Sequence, residues 1–207
     1  GVTTFALNLA VAMSQAGQDV IVCELRPGQG SLGLQLGFSN SKALGNLLSK
    51  EIHEITPRTI EGNVIAHSGS GLRLLLASHE PQEYKLSTAV NQAEQLVRHL
   101  ASMAKFLVVD LGGGVNDLNR KILPLCDRNI LIVEPTRVTV TMAKAVLDDL
   151  DKMGVSPARF EVVMLYRVRS SFQLPWQLAE SILGKQVASI VTPAPELAYE
   201  AAEANSP

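Results

Sequence analysis

Gly1-Val2-Thr3-Thr4, running on into Phe5-Ala6-Leu7-Asn8-Leu9-Ala10, has the spacing of the closing half of a phosphate-binding loop and its helix. Such a loop reads G-x-x-x-x-G-K-[ST]. Its backbone N–H groups and the helix N-terminus hold phosphate oxygens, its lysine reaches the β- and γ-phosphates, and its hydroxyl binds Mg²⁺. Aligned on the last glycine, Gly1 is the turn and Thr3 the hydroxyl, with Thr4 next to it, while Val2 stands in the place of the lysine. The chemistry open to this segment is the binding of phosphates, as ATP or ADP with Mg²⁺, without the lysine's charge. A second group with chemical potential is Asp110. It ends the apolar run Phe106-Leu107-Val108-Val109 and opens into Gly112-Gly113-Gly114. A carboxylate at a strand end is the arrangement that holds Mg²⁺ in phosphoryl-transfer sites. The plainer reading is an aspartate closing a strand before a turn.

These groups need strands that end together and a helix that begins beside them. The hydrophobic pattern predicts a helix over residues 4–15 stopped by Gly17, then strands over 20–25, 72–77, 106–110, 129–133, 160–165 and 187–191. Helices are predicted near 43–48, 88–103, 118–123, 139–153, 176–183 and 196–204, with a glycine-rich stretch at 27–37 and a polar connector at 52–63. Continuous apolar strands alternating with helices predict an α/β fold. Its mostly parallel central sheet would be covered on both faces, and ligands would sit beyond the carboxyl ends of the strands. The expectation is one domain over residues 1–207.

Thr3-Thr4 with Ala6-Leu7-Asn8-Leu9-Ala10 resembles the ParA/MinD group of P-loop ATPases, whose loop typically reads K-G-G-V-G-K-T-T before an A-x-N-L-A helix. The absent lysine, and Ser70-Gly71-Leu72-Arg73-Leu74-Leu75-Leu76-Ala77, are similar to the TadZ/CpaE branch of pilus-assembly localisation proteins. The resemblance implies that a strand and the first half of the loop precede Gly1, so that the sequence is a piece of a longer protein. An upstream receiver-like domain would agree with that branch. It further implies that Thr3, Glu24 and Asp110 are the Mg²⁺ positions, and that Gly1, Val2, Thr3 and Thr4 line the phosphates.

The group's second strand usually ends D-x-D, where this chain has Glu24 and Arg26, and its D-x-P-x-G becomes Asp110-Leu111-Gly112-Gly113-Gly114. Arg26, Gly112 and Gly113 are thereby the switch positions. A guanidinium stays protonated and cannot orient water as a base. Arg26 would pair with a phosphate or with Glu24, or stand as a solvated loop arginine. An Asn-Arg pair that meets the adenine in the group is here Tyr166-Arg167. Tyrosine can stack on a base but lacks the amide's paired hydrogen bonds. Glu134-Pro135-Thr136 fits the group's strand-end segment, and 190–195 resembles its I-P-x-D loop without the aspartate.

Losing one preorganised donor typically costs ~10²–10³ in rate. With Val2 and Arg26 both changed, ATP hydrolysis is expected to be absent or very slow, and no residue is assigned a catalytic role. The expected function is a degenerate ATPase-like domain serving as a localisation or assembly factor for a pilus secretion system. It would act as a homodimer among pilus-assembly or polar-localisation proteins, in the cytoplasm or at the membrane through partners. The alternative is an active ParA/MinD-type ATPase for partition, division-site or flagellar placement.

The balance of 18 Lys+Arg against 20 Asp+Glu gives no global field for nucleic acid, and Lys152, Arg159, Arg167 and Arg169 have ordinary spacing. Cys23 and Cys126 lie in apolar runs with no C-x-x-C, which predicts buried free thiols rather than zinc or iron–sulfur ligands. His53, His67, His79 and His99 have no metal-ligand spacing. No apolar run approaches the ~18–20 residues of a membrane span, and a MinD-like membrane helix would lie beyond Pro207.

Overall fold

The computed structural model describes residues 1–38, 41–168 and 170–205. Its strands are mostly parallel and alternate with helices, the α/β architecture that the apolar runs predict. Two compact units are present: one over 2–122 with 200–205, the other over 123–199 with Gly1.

In the first unit, α1 (Val2–Gln15) leads to β1 (Val20–Glu24), followed by the short helices α2 (Leu32–Gln35), α3 (Ala43–Leu48) and α4 (Pro57–Glu61). Then come β2 (Ile65–His67), β3 (Leu72–Leu75), α5 (Val90–Met103), β4 (Phe106–Asp110) and α6 (Asp117–Ile122). The sheet order is β2-β3-β1-β4, with β1 parallel to both neighbours and β2 antiparallel to β3. All five residues of β1 are buried, as a central strand covered on both faces must be.

Side chains alternate along a strand. Val20 and Val22 join Leu7, Ala10 and Val11 of α1, with Leu72, Leu74 and a partly buried Val108, in one apolar cluster. Glu24 and Asp110 continue that face, because Glu24 is two residues beyond Val22 and is in register with Asp110. The hydrophobic pattern thus delivers two carboxylates side by side at the carboxyl end of the sheet, under the start of α1.

The second unit holds β5 (Asn129–Val133), α7 (Arg137–Lys152), β6 (Phe160–Leu165), α8 (Trp176–Leu183) and β7 (Val187–Val191). Its three strands are parallel in the order β5-β6-β7, and Val133, Val140, Leu150, Phe160, Val162 and Met164 are buried in its core. A last helix, α9, covers Pro195–Glu203. Strand β4 is bonded to β1 alone and β5 to β6 alone, so each has one edge without a strand partner among the described residues. Phe106 and Ile130 on these strands are 38% and 41% exposed.

Three local expectations change. The polar connector at 52–63 contains α4, started by Thr56, whose hydroxyl accepts from Thr59 N, and by Pro57 at the first helical position. The edge strand β2 was not anticipated, since its three residues are too few for periodicity to register. The strand predicted over 72–77 stops at Leu75. Beyond it, the Ala77 N–H and the Ser78 carbonyl bond to Glu24 and Gly30 instead of a neighbouring strand.

Neither Cys23 nor Cys126 is in a disulfide. Burial, with Glu24 and Asp110 nearby, pushes the Cys23 thiol far up, and burial beside Asp127 pushes Cys126 up to about 11. Raised folded values stabilise the native state fully below the unfolded thiol pKa of ~8.5, and that contribution is lost as pH rises through the folded values. Unfolding free energies from urea titration should therefore fall between pH 8 and pH 10, with a slope of up to about 1.4 kcal/mol per pH unit for each thiol. A Cys126→Ala variant should show a shallower decline. Identical slopes in the two proteins would rule the effect out.

Candidate functional site

Thr3 lies in the first turn of α1 and is 8% exposed, directly over the ends of β1 and β4. Its hydroxyl is already engaged: Arg26 Nη1 donates to Thr3 Oγ1 at 2.7 Å. The same nitrogen stands 3.9 Å from Asp110 Oδ2. Asp110 is fully buried, and its other oxygen accepts from the Gly112 N–H at 2.9 Å. Neither Asp110 Oδ2 nor Arg26 Nε has a hydrogen-bond partner among the described residues. The guanidinium therefore faces that carboxylate oxygen at ion-pair range without a direct hydrogen bond.

Glu24 is also fully buried but faces other work. One of its oxygens accepts from Ser31 N at 2.6 Å and Leu32 N at 2.9 Å, and the other from Ala77 N at 3.2 Å. Burial raises its carboxyl above the usual value, the three N–H bonds act against this, and the Asp110 charge adds to it. The glutamate, one methylene longer than the aspartate of the resembling family, reaches past the strand end to fasten the 27–37 loop. That loop also comes close at Gly30, where an added Cβ would lie 2.2 Å from the Ala77 carbonyl oxygen.

Two departures noted separately in the sequence turn out to be one packing unit. Gly112 has φ +68°, and a Cβ there would meet Arg26 Nε at 2.6 Å. The glycine, standing where the resembling group has proline, is what lets the arginine lie across the turn. Gly113 is exposed with open space around it, so nothing in the structure demands a glycine there. Asn119 holds the turn from below, with Nδ2 donating to the Leu111 and Gly114 carbonyls at 3.3 and 2.9 Å. Sequence reasoning missed Asn119, whose only signal is a polar residue on the buried face of α6, beside Leu118 and Ile122.

The residues present do not fit a Mg²⁺ ion. Octahedral Mg²⁺ needs oxygen ligands near ~2.0–2.1 Å. Both Glu24 oxygens are committed to N–H donors, and Thr3 and Asp110 face a guanidinium. Among the described residues no group of three or more His, Cys, Asp or Glu could hold a metal ion.

Gly1 and Thr4 are exposed and Val2 half-buried. Tyr166 is partly buried against the apolar core of the second unit and does not line that unit's cleft. The cleft, about 540 Å³, is bounded by Glu134–Arg137, Arg167 and residues 172–175, with Arg167 Nε bonded to Glu134 at 2.7 Å. Arg169 lies outside the described residues.

No family model matches the chain. An uncharacterized protein of Methanocaldococcus jannaschii is 24% identical over 176 residues, 75% of this chain. The chain spans 62% of that relative's length. Among solved structures it is similar to a ParA family ATPase of Chlorobium tepidum, with TM-score 0.81 and 19% identity over 97% of this chain and 82% of that one. It is similar to the cell division ATPase MinD of Pyrococcus furiosus, with TM-score 0.77 and 18% identity over 100% and 84%. The septum site-determining protein MinD of Pyrococcus horikoshii, complexed with Mg-ADP, gives TM-score 0.78 and 16% identity over 100% and 82%. The fold is that of the ParA and MinD ATPases.

Proposed function

We propose that this chain is a degenerate ParA/MinD-type domain that does not turn over ATP and acts as a localisation or assembly factor. The observation that carries the reading is Arg26. Its guanidinium bonds the Thr3 hydroxyl at 2.7 Å, where an active site would need a metal, while Val2 supplies no cation to the phosphates. Phosphoryl transfer depends on positioned charge, and this site has the sign of one switch group reversed. A nucleotide would be held, if at all, by the α1 N-terminus and its N–H groups, weakly and as a structural ligand.

The finer assignment, to the TadZ/CpaE branch and pilus assembly, is supported by the missing lysine and the Ser70–Ala77 segment. On that reading the protein works as a homodimer that recruits pilus-assembly proteins at a cell pole. The test is MgATP and MgADP calorimetry on the whole protein beside Thr3→Ala, with phosphate release followed in parallel. The expected result is no turnover above buffer in either protein, and affinity no tighter than high micromolar. Multiple-turnover phosphate release that Thr3→Ala abolishes would establish the alternative, an active partition or placement ATPase.

A further inference from the structure

We propose that Arg26 is the resident cation of this site, its guanidinium standing where a divalent ion would otherwise bridge Thr3 and Asp110, so that the site excludes divalent metal. The inference rests on reading Thr3 and Asp110 as the cation end of a phosphate site, and it goes further by assigning that end to a protein group.

Four features place the arginine there. The first is its donation to Thr3 Oγ1 at 2.7 Å. The second is the fully buried Asp110, whose Oδ2 lacks a hydrogen-bond partner among the described residues and has Arg26 Nη1 at 3.9 Å. The third is Gly112, which at φ +68° leaves room for Arg26 Nε that any Cβ would close. The fourth is Glu24, whose oxygens are turned onto the Ser31, Leu32 and Ala77 N–H groups, so that a second carboxylate does not compete for the guanidinium. A guanidinium is permanently charged, planar and less strongly hydrated than an ammonium, which suits it to a half-buried place between a hydroxyl and a carboxylate. It carries one positive charge instead of two, and one buried carboxylate, Asp110, faces it.

The test is Mn²⁺ titration followed by paramagnetic broadening of the Gly112 and Leu25 amide signals in the whole, otherwise wild-type protein. Both amides adjoin Asp110, since Gly112 N donates to its side chain and Leu25 N to its carbonyl. The expected result is no selective broadening at millimolar Mn²⁺. Arg26→Ala should acquire a site tighter by roughly tenfold or more, because the substitution removes a like-charge repulsion at close range. Asp110→Asn in that background should remove the site again. Selective broadening of Gly112 and Leu25 in the wild-type protein would overturn the assignment, as would an Arg26→Ala protein that folds and binds Mn²⁺ no better. ATP turnover without broadening would refute the proposed function and leave this assignment standing. Broadening without turnover would do the reverse.

Discussion

Glu24→Ala should destabilise the protein by about 3–5 kcal/mol, because it strands two buried N–H donors and one half-buried donor at once, and each buried one costs ~1–3 kcal/mol when unpaired. The donors belong to Ser31, Leu32 and Ala77, which lie on two different segments, so the loss leaves the Gly30 N–H to Ser78 carbonyl bond to hold the 27–37 loop at the end of β3. Glu24→Gln separates the contributions. An amide keeps one oxygen for Ser31 and Leu32 but sets its NH₂ against the Ala77 N–H, for an expected cost of about 1–3 kcal/mol.

Charge works in the opposite direction. The Glu24 carboxyl is raised in the folded protein, so its contribution is fully present below the unfolded value of ~4.3 and is lost as pH rises through the folded value. Glu24→Gln should therefore lack that part of the wild-type decline. Urea unfolding of the three proteins from pH 4 to pH 7 tests both points. Equal stabilities for the alanine and glutamine variants would show that the N–H groups find other partners.

Gly112→Pro, which gives the chain the D-x-P sequence of the group it resembles, should cost about 3 kcal/mol or more despite its conservative appearance. Proline fixes φ near −65°, whereas Gly112 sits at +68°. It also deletes the N–H that Asp110 Oδ1 accepts, and it places a Cβ on Arg26 Nε. Gly112→Ala keeps the N–H and should cost less, with ~1–2 kcal/mol from the left-handed backbone and the remainder from the arginine. That remainder should vanish in an Arg26→Ala background, while the backbone part persists. Thermal melts of the double-mutant cycle measure it, and additive losses would mean that Arg26 does not rest on Gly112 in solution.

Much of this was legible in the chain. Strands read as continuous apolar runs because both faces of β1 are covered, and α1 read as a helix because its apolar residues repeat on one face. Thr3 and Asp110 were singled out from motif spacing, while Glu24, Arg26 and Gly112 were singled out by the resemblance to the ParA/MinD group. Asn119 was not, because a single buried polar residue in a six-residue helix leaves no period to read.

What the sequence could not decide was the direction in which each of these side chains works. It left Arg26 open between a phosphate, Glu24 and solvent, and the folded chain gives it Thr3 and Asp110 instead. The resemblance offered Glu24 as a metal carboxylate, and the fold turns both oxygens onto backbone donors. Residue type and spacing determined that a hydroxyl and a carboxylate, Thr3 and Asp110, would meet at one sheet end, because hydrophobic periodicity sets the strands; the resemblance added Glu24, Arg26 and Gly112. The pairings among them depend on distances of a few ångströms between segments far apart in the chain. Those are set by which buried N–H groups remained unsatisfied and by where a missing Cβ left space, and both exist only once the tertiary structure has formed.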